Sequence, residues 1–350
     1  MTQQIIDEQF MARCIQIATN GLGTTYPNPF VGSVIVHNNQ IIGEGFTSAY
    51  GGPHAEVNAI NSVKNQDLLK ESTLYVTLEP CSHFGKTPPC ADLIIKKEIP
   101  RVVIGMLDPF AKVNGQGYLR LLKNGADVTL NVLEKECANL NKRFITFHEK
   151  KRPYIILKWA QTEDGYMGRD DVQLWITNQY SKQLVHKWRT EEQAILEGKN
   201  TALIDNPQLN ARLWEGNNPI RMAIDKNLAI PISFHLYDKS QPTIIFNSLE
   251  NVVEENLKLV KVEYTQPILP QVMDYLYKHD IQSLIVEGGS DTIQHFIDTD
   301  LWDEARILSS DTIWNEGILA PRLKGTRTEK HRFLNDELNI FENRIEIEEP

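Results

Sequence analysis

Gly52-Pro-His54-Ala-Glu56, Thr77-Leu-Glu-Pro-Cys81 and Thr87-Pro-Pro-Cys90 lie close together in the chain, and their reading decides the fold. Zinc in a hydrolytic site takes three protein ligands from the His and Cys set and keeps one position open for water. His54, Cys81 and Cys90 supply three. Two thiolates and an imidazole leave the metal nearly neutral, yet it still lowers the pKa of a bound water towards neutrality. A carboxylate two residues after a ligand stands beside the metal without binding it, which suits Glu56 to shuttle protons. A closed structural site would need a fourth ligand, for which His83 is the available residue, but it would have no need of a Glu beside its His.

Around this constellation the pattern alternates between strands and helices. Phe10, Met11, Cys14, Ile15 and Ala18 have helical spacing, and Gly21 is placed to stop a helix over Phe10–Asn20. The runs 32–37 and 40–45 flank Asn38-Asn39, a pair that tolerates positive φ and so predicts a hairpin. Helices are expected at about 54–62, 90–97 and 117–124, with strands at 72–78 and 101–106. Such alternation indicates an α/β layer fold. The second half restarts after His148-Glu-Lys-Lys-Arg-Pro153 with a strand at 154–159. Further strands are expected at 193–196, 220–224, 243–246, 283–286 and 305–308, and the acidic segment 342–350 reads as a last strand with a solvated end. At 350 residues the chain is long enough for two domains, expected at 1–148 and 149–350.

Composition narrows the partners. The net charge is -10 and no dense Lys/Arg stripe occurs, which argues against a nucleic-acid partner. No run approaches the roughly 18 apolar residues of a membrane span. The first ten residues lack a basic segment followed by an apolar one, so a cytoplasmic location is expected. Four cysteines are too few for a disulfide scaffold, and Cys14 and Cys137, without neighbouring ligands, read as core thiols.

The His-x-Glu and Pro-Cys arrangement resembles the signature of zinc nucleobase deaminases, which attack an amino-substituted ring carbon. It departs in placing eight residues, Ser82 to Pro89, between its cysteines. With Tyr26-Pro-Asn28-Pro-Phe-Val-Gly32 and the full run Glu79 to Cys90, the chain resembles the bifunctional riboflavin-biosynthesis deaminase–reductase family over nearly its whole length. The resemblance implies a cytidine-deaminase-like α/β/α domain followed by a dihydrofolate-reductase-like α/β domain. It also implies that 2,5-diamino-6-(5-phosphoribosylamino)pyrimidin-4-one loses its 2-amino group, with Asn28 gripping the ring edge and Lys86 near the ribose phosphate. Where that family often has Gly-Tyr-His, this chain has Gly45-Phe46-Thr47.

In the second half the resemblance rests on Leu157-Lys158-Trp-Ala160 with Asp164-Gly165, Trp175-Ile-Thr, Arg189, Thr201 with Asp205 to Arg212, Ile224-Asp225, and Val286-Glu287-Gly-Gly289. It implies NADPH reduction of the ribosyl group of the deaminated product to ribityl. Implied cofactor contacts are Ala160, Trp175, Thr201, Asp205, Gly289, Ser290 and Asp291; implied substrate contacts are Lys158, Gln173, Arg189, Leu209, Arg212 and Glu287. Gln173 and Lys226 stand where the family has serines. Independently, Glu287-Gly-Gly-Ser290 between an apolar strand and a helical pattern offers helix N-terminal amides to a pyrophosphate. The Gly-x-Gly-x-x-Gly fingerprint of Rossmann sites does not occur there. The expected partners are small phosphoribosylated pyrimidines, with Zn2+ and NADPH as cofactors, no nucleic acid or membrane, and assembly as a homo-oligomer. Competing readings are a deaminase of another nucleoside or RNA base with a C-terminal binding domain, and a zinc-stabilised interaction protein.

Overall fold

Asn38 and Asn39 adopt φ 48° and 60° and close a tight hairpin between β1 (Gly32–His37) and β2 (Gln40–Phe46). Two successive residues at positive φ give the turn whose twist matches the flanking strands. The computed structural model describes residues 2–84, 88–109, 115–169 and 175–343, and the chain divides into two compact units, Met1–Lys151 and Arg152–Pro350.

In the first unit β1 also pairs antiparallel with β3 (Thr73–Leu78), which continues in parallel to β4 (Arg101–Met106) and β5 (Asp127–Thr129), giving the order β2-β1-β3-β4-β5. Among the described residues six α-helices accompany it: α1 (Gln3–Ala18), α2 (Ala55–Ser62), α3 (Cys90–Lys96), α4 (Gln116–Lys123), α5 (Glu134–Leu140) and α6 (Lys142–Lys150). The expected helix at Phe10 begins instead at Gln3. Its inward face runs Asp7, Met11, Cys14 and Ala18, and the polar member is hidden because Arg101 and Tyr75 pair with it. Within the polar stretch 148–153, residues 148–150 close α6, and the division between the two units falls after Lys151. Cys14 and Cys137 are fully buried, as expected of core thiols.

In the second unit a ten-stranded sheet has the order β11-β12-β10-β9-β8-β13-β6-β14-β17-β16. Its strands are β6 (Tyr154–Gln161), β8 (Ala194–Gly198), β9 (Ile220–Ile224), β10 (Thr243–Asn247), β11 (Val252–Glu254), β12 (Leu257–Lys261), β13 (Ser283–Val286), β14 (Glu304–Ser309), β16 (Thr326–Phe333) and β17 (Asp336–Glu342). β7 (Tyr166–Gly168) and β15 (Ile318–Leu319) form a separate ribbon. From β12 to β14 neighbouring strands run parallel, while β11 joins β12, β17 joins β14 and β16 joins β17 antiparallel. Helices cover both faces, α7 (Gln179–Glu191) and α8 (Lys199–Asp205) on one, α9 (Ile268–Lys278) and α10 (Ser290–Asp298) on the other. The final described strand is β17, so the strand expected at 342–350 ends where it was meant to start; residues 344–350 lie outside the described set.

β13 enters the sheet between β8 and β6, although the chain passes through β9, β10 and β12 before reaching it. Such a reversal of strand order opens a crevice at the carboxyl ends of parallel strands, where open α/β sheets bind ligands. Among the described residues no helix is long and apolar enough to cross a membrane.

Candidate active sites

α2 packs so tightly on β2 that a Cβ on Gly45 would come within 2.4 Å of the Ala59 backbone nitrogen. This contact fixes the helix start, where His54 is the N-cap and Glu56 lies in the first turn. Cys81 follows β3, and Cys90 opens α3. The His54 Nδ1 lies 3.7 Å from the Cys81 Sγ and 3.4 Å from the Cys90 Sγ. Tetrahedral zinc bound to one imidazole nitrogen and one thiolate has a ligand–ligand edge of about 3.6 Å, so this spacing fits the metal. These three are the sole His/Cys/Asp/Glu group with metal-ligand spacing among the described residues. His83 is exposed and outside the group, which leaves a position open for water rather than closing a knuckle.

Electrostatics agree with that chemistry. Hydrogen bonding to Cys90 and to His54 brings the Cys81 thiol down to about 4 despite its burial. The partner thiol of Cys90 is held up by the same hydrogen bond and by burial. Burial, reinforced by the Cys81 charge, pushes the Glu56 carboxyl up to about 7. A carboxyl poised there can accept and release a proton near neutrality.

Sequence reasoning missed the scaffold beneath these ligands. Glu79, buried, accepts hydrogen bonds from the backbone amides of Asp108, Gly115, Gly117 and Tyr118 at 2.8–3.2 Å. It therefore ties the loop before Cys81 to the start of α4. Arg120 donates to the Ser82 carbonyl at 3.0 Å and pairs with Asp92 at 2.7 Å, bracing the loop between the cysteines. The Asn28 segment is held from the other side: Asn141, fully buried, bonds both the amide and the carbonyl of Phe30. The Asn28 side chain makes no hydrogen bond among the described residues and is available to a ligand. Thr47 is buried and receives the Val31 amide at 3.2 Å, a structural task. Lys86 lies outside the described residues.

In the second unit a cavity of about 450 Å³ opens at the carboxyl ends of β6, β8 and β13. It is lined by Lys158, Ala160, Trp175, Arg189, Thr201, Asp205, Leu209, Arg212, Glu287, Gly289 and Ser290, which brings together the residues expected in the cofactor and substrate sets. Asp291 lines an adjoining groove that shares Thr201, Gly289 and Ser290 with it. Gln173 lies outside the described residues, and Lys226 lines neither space but sits 5.3 Å from the Tyr264 ring. Inside the cavity Arg189 clamps Glu287 through two bonds, 2.7 and 3.2 Å, and Lys158 approaches it at 3.6 Å. Burial opposes ionisation of Glu287, but Arg189 and Lys158 outweigh it and hold the carboxyl at about 2.

Lys182 and His186, which line the cavity beside Arg189, went unnoticed in the sequence, although positions 182, 186 and 189 share one helical face of α7. Burial, followed by Arg189 and Arg212, lowers the His186 imidazole to about 4.

Comparison with known proteins supplies the family. Residues 4–106 match the cytidine and deoxycytidylate deaminase zinc-binding region, and residues 153–313 match the RibD C-terminal domain. The riboflavin biosynthesis protein RibD of Aquifex aeolicus is 38% identical over 89% of both chains. The chain belongs to the RibD family. RibD of Escherichia coli strain K12 is 34% identical over 91% of this chain and 89% of its own. The crystal structure of a diaminohydroxyphosphoribosylaminopyrimidine deaminase and 5-amino-6-(5-phosphoribosylamino)uracil reductase from Thermotoga maritima superposes with a TM-score of 0.90 at 36% identity, covering 97% of this chain and 99% of that one. The RibD family joins a zinc-binding deaminase region to an NADPH-using reductase domain, so this α/β chain is an enzyme with hydrolase and oxidoreductase activities in riboflavin biosynthesis.

Proposed function

We propose that the first unit deaminates 2,5-diamino-6-(5-phosphoribosylamino)pyrimidin-4-one and that the second reduces the ribosyl group of the resulting uracil to ribityl. The observation that carries this reading is the His54, Cys81 and Cys90 triad with a buried, near-neutral Glu56 beside it. When bound, zinc supplies the Lewis acidity that makes water a nucleophile at neutral pH. Glu56 then has the proton traffic: it takes a proton from the attacking water, passes it to the ring nitrogen, and delivers another to the departing amine. Water adds, ammonia leaves, and the amino-substituted carbon becomes a carbonyl. The Asn28 amide, able to donate and accept, holds the ring edge.

In the second unit Ala160, Trp175, Thr201, Asp205, Gly289, Ser290 and Asp291 would hold the cofactor, and the first amides of α10 would be the donors offered to its phosphates. NADPH supplies the hydride when bound. Lys158, Leu209, Arg212 and Glu287 orient the sugar and its ring, while Arg189 acts through Glu287, which it clamps. Assembly into a homo-oligomer belongs to the same reading and is checked by light scattering.

The test is ammonia release by the purified chain carrying zinc. Glu56→Gln is expected to keep zinc and lose ammonia release, while still reducing pre-deaminated substrate. A Cys81→Ala protein that lost its metal yet deaminated at the wild-type rate would overturn the catalytic-zinc reading.

A further inference from the structure

Across the end of the large sheet the register sets three ionisable residues side by side. β8 pairs with β13 through Leu196 and Val286, and β13 pairs with β6 through Val286 and Leu157. The residues that come next are Glu197 on β8, Glu287 directly after β13 and Lys158 on β6, and all three line the cavity. Two buried carboxyl groups therefore stand at the ends of neighbouring strands, and their situations differ. Glu287 has Arg189 and Lys158. Glu197 is 4% exposed, has no hydrogen-bond or ion-pair partner among the described residues, and its Oε2 is sealed from solvent. The fit is close: a Cβ on Gly288 would come within 2.3 Å of the Glu197 Cγ, so the glycine after Glu287 makes room for this side chain.

An unpartnered carboxylate in such a place is costly, whereas the neutral acid is not. Burial, then the charges of Glu287 and Asp205, hold the Glu197 carboxyl well above its usual range against the pull of Arg189 and Lys158. The groups around it are thus Glu287 just after β13, Lys158 on β6, Arg189 on α7 and Asp205 on α8. Glu287, kept ionised by its two cations, is unsuited to give up a proton near neutrality.

Reduction of a ribosylamine to a ribitylamine consumes one hydride and one proton. The hydride makes a new C–H bond at C1′, the bond from C1′ to the ring oxygen breaks, and that oxygen needs a proton to become the new hydroxyl. We propose that the Glu197 carboxylic acid is the source of this proton, donating to the sugar ring oxygen as the ring opens. The proposal rests on the reductase reading of the cavity. Donation leaves a Glu197 carboxylate that Arg189 and Lys158 attract through space, so two carboxylates then share the field of two cations. A proton from bulk solvent restores the acid.

Glu197→Gln and Glu197→Asp in the full zinc-loaded chain test it. In the ligand-free protein, the difference infrared spectrum of wild type minus the Gln variant, which cancels the shared contribution of Glu56, is expected to show the carbonyl stretch of a protonated carboxylic acid. With the deaminated substrate and saturating NADPH, kcat for the Gln variant should fall about 100-fold, the contribution expected of a positioned general acid. NADPH affinity and ammonia release should be unchanged, and Asp should restore part of the rate. Wild-type kcat should decline as pH rises through the Glu197 titration, and the Gln variant should lack that limb. A Gln variant that reduces at the wild-type rate, or a difference spectrum without the carboxylic-acid band, would overturn the proposal. A wild-type chain that binds NADPH but never oxidises it with this substrate would overturn the reductase reading itself, while the infrared band would still report the state of Glu197.

Discussion

Replacing Glu287 by Gln removes the anion that two buried cations share, and the structure gives the size of the effect. Arg189 and Glu287 are bonded in bidentate fashion, their side chains are 12% and 8% exposed, and Lys158 adds a third charge at 3.6 Å. Breaking a buried pair by removing one partner costs about 3–5 kcal/mol, because the remaining charge is stranded. The titration gives a similar figure. A carboxyl moved from 4.5 to about 2 is worth about 3 kcal/mol by linkage. Since the folded value is the lower one, this stability is present above pH 4.5 and is lost as pH falls towards 2. All six tryptophans lie in the second unit, so Trp fluorescence during denaturation reports that unit alone. At pH 7 the Gln variant should unfold at lower denaturant, by about 3 kcal/mol, and the gap should close progressively in acid. Equal stabilities at pH 7, or a gap that does not change between pH 7 and 3, would refute the reasoning.

Other perturbations follow from named contacts. Asn141→Ala strands the Phe30 amide and carbonyl, now bonded at 2.9 and 3.1 Å; a loss of about 2–4 kcal/mol is expected in the first unit, with weaker substrate binding because the Asn28 segment loosens, read by circular dichroism melts and by KM. Asp7→Asn weakens the charged bonds to Arg101 at 2.7 and 2.9 Å; a cost of about 2–3 kcal/mol is expected at neutral pH. Arg101 and Tyr75 together outweigh burial and lower the Asp7 carboxyl, so that difference should shrink as pH falls through the usual Asp range.

The zinc site was legible because its members sit near element ends close in sequence, where residue type alone declares the chemistry. The Asn38-Asn39 hairpin was legible for a similar reason, since Asn reports backbone conformation locally. What escaped depends on distant partners. The first two turns of α1 look polar until Arg101 comes to Asp7 from β4. Glu79 reads as part of a motif, yet its work is to accept four amides from residues 108–118. Glu197 sits in an ordinary strand pattern, and its isolation is visible only after β13 enters the sheet beside β8. The edge strands β11 and β16, and β17 beside β16, were missed because they carry weak apolar periodicity; the pattern of β16 is exposed along most of its length.

The central claim is that one chain performs two ordered steps, and NADPH oxidation starting from the diaminopyrimidine tests it most directly. Wild type should release one ammonia for each NADPH oxidised, as the first product feeds the second site. Glu56→Gln should oxidise no NADPH from the diaminopyrimidine but should do so at the wild-type rate from the deaminated compound. NADPH oxidation by that variant from the diaminopyrimidine, without ammonia release, would contradict the account.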